Sequence, residues 1–249
     1  IIPKFMNNIE RKVFIKKEKI ILFIIILTIL ISRLYLLFNF YGTCSDEFAN
    51  IEIVRLNFES GFRNYCHLFM WFYYFIAASL LFIIKDAFLA AKIVTVFFGI
   101  VTFFVVYFIV RKLFNKKIAL LSLLLLAINP EFTIVSSTSL REPVYAFFIF
   151  LSIWLAVNNR VFSGAFSVSL AFLTRMEGLL IGMPSYIVAL VVQKMTKKIA
   201  VVLIIFISAI LFMNIWVPKP FLYLTETFKN QSINDPDTDM FVYAGLFQL

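Results

Sequence analysis

Charge is scarce in this chain. Asp, Glu, Lys and Arg make up 15% of its 249 residues, against about a quarter in soluble domains. Histidine occurs once, at His67, and cysteine twice, at Cys44 and Cys66. That shortage excludes a zinc centre built from Cys and His. The two cysteines fall in one loop and are expected to be unpaired. No internal repeat or low-complexity tract interrupts the chain. What is abundant is apolar surface: 62% of residues are hydrophobic, 18% are aromatic, and the mean hydropathy is +0.96. The runs recur along almost the whole length, so no separate soluble domain is expected. Residues 1–249 read as a single membrane-embedded module. The chain opens Ile1-Ile2-Pro3 and stops at Leu249 in a polar stretch, so it reads as a fragment truncated at both ends. The formal net charge of +9 does not point to nucleic acid. In a membrane protein, excess Lys and Arg mark cytoplasmic loops and meet anionic lipid headgroups.

The fold class that follows is an all-α polytopic membrane protein. About seven transmembrane helices are expected, with juxtamembrane helices in the first outer loop. Residues 4–19 are basic and should stay cytoplasmic, which sends Ile20–Phe38 outward. Arg33 is expected to snorkel to the outer interface. Residues 39–92 form the first extracytoplasmic loop. Within it, Phe48, Ile51, Val54, Leu56 and Phe58 alternate with polar residues as in an amphipathic helix on the membrane surface, starting near Ser45 and closed by Gly61. Leu68–Ile84 is at the lower limit of length for a span, and its aromatic stripe Phe69-Trp71-Phe72-Tyr73-Tyr74-Phe75 reads as an interfacial anchor.

Positive charge settles how that segment is read. If Leu68–Ile84 does not cross, later spans fall at about Ile93–Val110, Ile118–Val135, Pro143–Val157, Val161–Leu173, Gly178–Val192 and Ile199–Val217. The inside then holds 14 basic residues, among them Arg111, Lys112, Lys116, Lys117, Arg160, Lys194, Lys197 and Lys198, and the outside holds 8. If it crosses, the division becomes 12 to 10, a poorer fit to the positive-inside rule. Pro130 and Pro143 bracket a polar break, Glu131 to Glu142, with Ser136-Ser137-Thr138-Ser139 inside it. Polar backbone at that depth is tolerated where it lines a cavity or is buried in protein. Residues 218–249 begin a later outer loop. Its acids Asp235, Asp237 and Asp239 lack the glycine and distal glutamate of a calcium loop.

The candidate chemistry lies on the outer side. Asp46 and Glu47 form an acidic pair where the first span emerges, and carboxylates at a membrane boundary are functional candidates. Tyr65-Cys66-His67 precedes the aromatic segment. Ser139-Leu140-Arg141-Glu142-Pro143 opens the fourth span, and Leu173-Thr174-Arg175-Met176-Glu177-Gly178 joins the fifth and sixth. The plain alternatives are an Arg175–Glu177 pair that only neutralises itself, an Arg141-Glu142 step that only begins a helix, and a structural His67.

The order of these stretches resembles the GT-C glycosyltransferases that use lipid-phosphate-linked sugars. The nearest branch is similar to the protein O-mannosyltransferase and lipid A aminoarabinose transferase group, over about Ile20 to Val217. The resemblance implies that Asp46 is the catalytic acid/base, with Glu47 beside it, and that Glu142 is a second functional carboxylate. It implies inversion at the anomeric carbon, and a hexosyl- or pentosyltransferase activity. Glu47, His67, Arg141, Arg175 and Glu177 are the expected substrate-binding residues. His67 departs from the family pattern, since Leu68-Phe69 follows it where proline is usual. The expected partners are a lipid-linked sugar donor, a protein, lipid or glycan acceptor, and membrane lipids. No cofactor is expected; two or three of these carboxylates could hold a divalent metal, but catalysis without one is favoured. The expected location is the plasma membrane with the site facing outside the cytoplasm. A transporter or flippase of a lipid-linked glycan is the rival, using the same acids and arginines without chemistry.

Overall fold

The computed structural model describes residues 8–39, 45–61, 71–175 and 177–216. His67, both cysteines, Met176 and the tail from Pro218 lie outside them. The described residues are helical almost throughout. They form α1 (Asn8–Asn39), α2 (Ser45–Glu59), α3 (Trp71–Ile84), α4 (Ala87–Leu113), α5 (Lys116–Ile128), α6 (Pro130–Val135), α7 (Glu142–Val157), α8 (Val161–Thr174), α9 (Met183–Val192) and α10 (Ile199–Trp216). A π-helical turn, Gly178–Gly182, leads into α9, and a 3₁₀ turn, Thr196–Lys198, leads into α10.

Among the described residues, two helices are long and apolar enough to cross a membrane, over Ile20–Asn39 in α1 and Ala87–Leu113 in α4. The others are shorter. α7 has 16 residues and α8 has 14, rises of about 24 and 21 Å against a hydrocarbon core of about 30 Å. α4 begins a turn and a half before the expected Ile93. Asp86 caps it, its carboxylate accepting from the Leu89 N–H at 3.1 Å, which satisfies a donor that the helix itself leaves unpaired. Lys92 therefore belongs to the helix rather than to the preceding loop.

α4, α7 and α8 form the centre, with Ala90, Ala91, Ala156, Ala165 and Ala171 fully buried in the core. Small residues let helix backbones approach closely where lipid supplies no hydrophobic drive between helices. Gly99 shows this most sharply: a Cβ there would stand 2.7 Å from the Ser136 Cβ. α1 and α5 pack on the other side of α4 through Ile25, Ile29, Phe103, Tyr107, Ala119 and Leu123.

The bundle has two chemically distinct ends. Lys112 Nζ donates to Asn158 Oδ1 at 3.1 Å, joining the C-terminal ends of α4 and α7. The connections carrying Lys116, Lys117 and Arg160 lie at that basic end. The opposite end gathers the start of α2, the start of α7 and the end of α8.

Four local expectations are corrected. The polar break is shorter than Glu131–Glu142, because Asn129 caps α6, accepting from the Phe132 N–H at 2.8 Å, and Pro130 starts it. Helix therefore extends to Val135, and the non-helical stretch is Ser136–Arg141. Arg33 does not snorkel. It is fully buried against α4 with its guanidinium 5.4 Å from the centre of the Phe103 ring, a cation–π arrangement. α2 does run from Ser45 and is followed by Gly61 at φ +62. Its buried stripe, however, is Glu47, Asn50, Val54 and Asn57, while Phe48 is exposed. Finally, the aromatic stripe of α3 is not all membrane anchor: Tyr73 and Tyr74 are buried inside the protein.

Candidate functional site

The site is assembled from three stretches far apart in sequence. The first is the start of α2. An acidic first turn is favourable at a helix N-terminus, and successive residues on a helix diverge by about 100°. Asp46 and Glu47 therefore face differently. Asp46 is exposed and Glu47 is buried. Glu47 Oε1 accepts from the Ser139 N–H at 2.8 Å, and its Oε2 is buried with no hydrogen-bond partner among the described residues.

The second stretch is Ser136–Glu142. Ser136, Ser137, Thr138 and Ser139 are all buried, and the first three hydroxyls bond back to carbonyls of α6 at 2.7–3.3 Å. The backbone beyond them is satisfied by other elements. Asn50 Nδ2 donates to the Ser139 carbonyl at 3.0 Å, and Thr95 Oγ1 donates to the Leu140 carbonyl at 2.8 Å. Tyr74 donates its hydroxyl proton to Asn50 Oδ1 at 2.6 Å, and Arg141 Nη1 donates to the Tyr74 oxygen at 3.4 Å. Pro143 then fixes the first turn of α7, which suits a residue with no N–H to offer.

The third stretch is the end of α8. Arg175 leaves the helix in extended backbone geometry (φ −150, ψ 143). Its Nε and Nη2 grip both oxygens of Glu177 at 3.1 and 2.6 Å, the two-pronged pairing that a planar guanidinium favours. Its Nη1 donates to Glu142 Oε1. Arg175 thus bridges two carboxylates from different elements. Burial works against its charge, but the hydrogen bonds to Glu177 and the charges of Glu142 and Glu177 outweigh it and raise its pKa. The Arg175 hydrogen bonds hold the Glu177 carboxyl below its ordinary value, more than its partial burial lifts it. Glu142 Oε2 is buried and unpartnered among the described residues.

Asp46, Glu47, Arg141, Glu142, Arg175 and Glu177 therefore all stand at one end of the bundle. Glu142 is joined to Arg175 rather than to its neighbour Arg141. The sequence reading missed Asn50, Tyr74, Thr95 and Lys92. Asn50 had a usable signal, lying three residues beyond Glu47 on the same face of one helix. Lys92 is buried with its ammonium 3.1 Å from the Leu37 carbonyl, where a cation suits the C-terminal carbonyls of α1. Among the described residues, no three of His, Cys, Asp and Glu converge on a metal-sized space.

Comparison with curated proteins and with solved structures gives no match. A family model, dolichyl-phosphate-mannose-protein mannosyltransferase, matches residues 70–217, which takes in every element from α3 to α10 and both arginines of the site. Asp46 and Glu47 precede the matched region. With more than half of its length matched, the chain belongs to the dolichyl-phosphate-mannose-protein mannosyltransferase family, membrane glycosyltransferases of the GT-C type.

Proposed function

We propose that the protein transfers a sugar from a polyprenyl or dolichyl phosphate to an acceptor hydroxyl on the extracytoplasmic face, with inversion. The observation that carries this reading is the convergence of three separated acidic and basic stretches, tied together by the Glu47–Ser139 bond and the Glu142–Arg175 pair. The acceptor oxygen attacks the anomeric carbon, the bond from that carbon to the phosphate oxygen breaks, and the lipid phosphate leaves. A hydroxyl is a poor nucleophile, so a carboxylate within hydrogen-bond reach takes its proton. Asp46 is assigned that role, because of the two acids in the first turn of α2 it is the exposed one. Fixed guanidinium groups stabilise the charge gathering on the phosphate. Arg141 and Arg175 fill that role, and Glu142 and Glu177 hold Arg175 until the phosphate takes their place.

The seven-span arrangement belongs to the same reading. α3 is no shorter than α8, 14 residues each; what supports a juxtamembrane α3 is that Glu47 before it and Ser139 after α6 meet in one hydrogen bond. A juxtamembrane α3 leaves the site on one side and the basic connections on the other, as the positive-inside rule asks. The decisive test incubates the purified protein in lipid vesicles with radiolabelled dolichyl phosphate mannose and an acceptor peptide. Donor consumption with a labelled product is expected. Movement of intact donor across the vesicle without consumption would instead make the protein a transporter.

A further inference from the structure

Glu47 and Asn50 stand one turn apart on α2 and reach the two sides of one residue. Glu47 accepts the Ser139 N–H at 2.8 Å, and Asn50 donates to the Ser139 carbonyl at 3.0 Å. The Asn50 amide has only one orientation that serves. Tyr74 donates to its Oδ1 at 2.6 Å, and a flipped amide would set N–H against that hydroxyl and leave the Ser139 carbonyl without its donor. Ser139 is fully buried in a stretch outside any helix, so its backbone groups must find partners or carry a desolvation penalty. Two residues on, the same stretch delivers Arg141 to the Tyr74 hydroxyl and Glu142 to Arg175.

We propose that Glu47 and Asn50 are positioning residues that clamp the Ser139 backbone and thereby set where Arg141 and Glu142 stand. Glu47 acts as a hydrogen-bond acceptor beneath the site, not as a charge that meets substrate. Its effect on turnover rests on the transferase reading, whereas the clamp is a property of the fold alone. Small displacements matter here, since a misplacement of about 1 Å costs on the order of a hundredfold in rate.

The test pairs two measurements on the full chain in lipid nanodiscs: amide hydrogen exchange over residues 136–142, and kinetics with radiolabelled dolichyl phosphate mannose. Glu47→Ala and Asn50→Ala should each accelerate exchange there by about tenfold, the size expected for one lost buried hydrogen bond. Both should raise the donor KM by about fivefold or more, a change that mere loss of folded protein does not produce. Glu47→Gln keeps the acceptor and removes the charge, and it should bring both values back to within about twofold of the parent protein. Glu47→Gln as impaired as Glu47→Ala would overturn the proposal, because the charge would then be what is used. So would unchanged exchange in both alanine variants, or faster exchange with an unchanged KM. If Glu47→Ala does not fold, Asn50→Ala, which removes only the donor to the Ser139 carbonyl and leaves Glu47 in place, carries the same readouts. A parent protein that consumes no donor defeats the transferase reading, and the exchange data still decide the clamp.

Discussion

Asp46 and Glu47 are adjacent, carry the same group, and meet different surroundings. That contrast assigns them different roles. Asp46→Asn keeps the shape and removes the proton acceptor, so turnover should drop by about 10²–10⁴-fold. Donor binding should persist, because the arginines proposed to hold the phosphate, Arg141 and Arg175, stand just before α7 and just after α8. Turnover and donor affinity at matched membrane expression check this, and normal turnover would remove Asp46 from the chemistry. Arg175→Ala should chiefly weaken donor binding, roughly ten- to a hundredfold for a charge-assisted hydrogen bond of about 1.5–3 kcal/mol. Unchanged donor affinity would leave Arg175 as the clasp between Glu142 and Glu177. The same clasp gives a pH signature. Glu177 titrates below its ordinary 4.5 because of Arg175, so its contribution to stability is present above that value and is lost as pH falls through its lowered pKa. Thermal unfolding followed from about pH 6 to about pH 3.5 should show a decline that Glu177→Gln flattens. An identical decline in both proteins would place the sensitivity elsewhere.

Among the elements, the apolar helices were legible because long hydrophobic runs with capping residues at their ends leave few alternatives. Asn115 and Asn129 cap α5 and α6 as such residues should. α2 was legible in position but not in orientation. Its inward face carries Glu47, Asn50 and Asn57, and polar side chains at helical spacing ordinarily face water. The unpaired backbone of Ser139 explains why Glu47 and Asn50 turn inward, and that need is invisible until the two stretches meet. Arg33 was misread for a related reason. Its partner is the face of Phe103, 70 residues away in sequence, and no local pattern announces a ring. Where α4 meets the loop, Gly99 permits the contact. Gly99→Ala should cost about 1–3 kcal/mol through overpacking against Ser136, seen as a lower thermal midpoint in detergent. An unchanged midpoint would mean that Ser136 yields without strain.

The whole molecule divides its charges by end, basic connections at one and the mixed acidic and basic site at the other. Single cysteines test whether those ends face opposite sides of a membrane. In a cysteine-free background, one at Glu59 should react with an impermeant thiol reagent in intact cells, and one at Lys116 or Lys197 should not. The reverse pattern would put the site in the cytoplasm. The meeting of Asp46, Glu142 and Arg175 at one end was legible from the alternation of spans. The bond between Glu142 and Arg175 was not, since it depends on how closely α7 and α8 approach at their open end.

The hold on Ser139 also imposes an order on biosynthesis. Glu47 and Asn50 precede their common partner by 92 and 89 residues. At about 5–20 residues per second, that is an interval of roughly 5–20 seconds between the synthesis of α2 and the arrival of Ser139. For that interval Glu47 has no Ser139 N–H to accept and the Asn50 Nδ2 no Ser139 carbonyl to meet, although Tyr74, 24 residues after Asn50, is already made to orient that amide. A nascent chain halted in that window still lacks the hold on Ser139, and with it the placement of Arg141 and Glu142 that the hold is proposed to set.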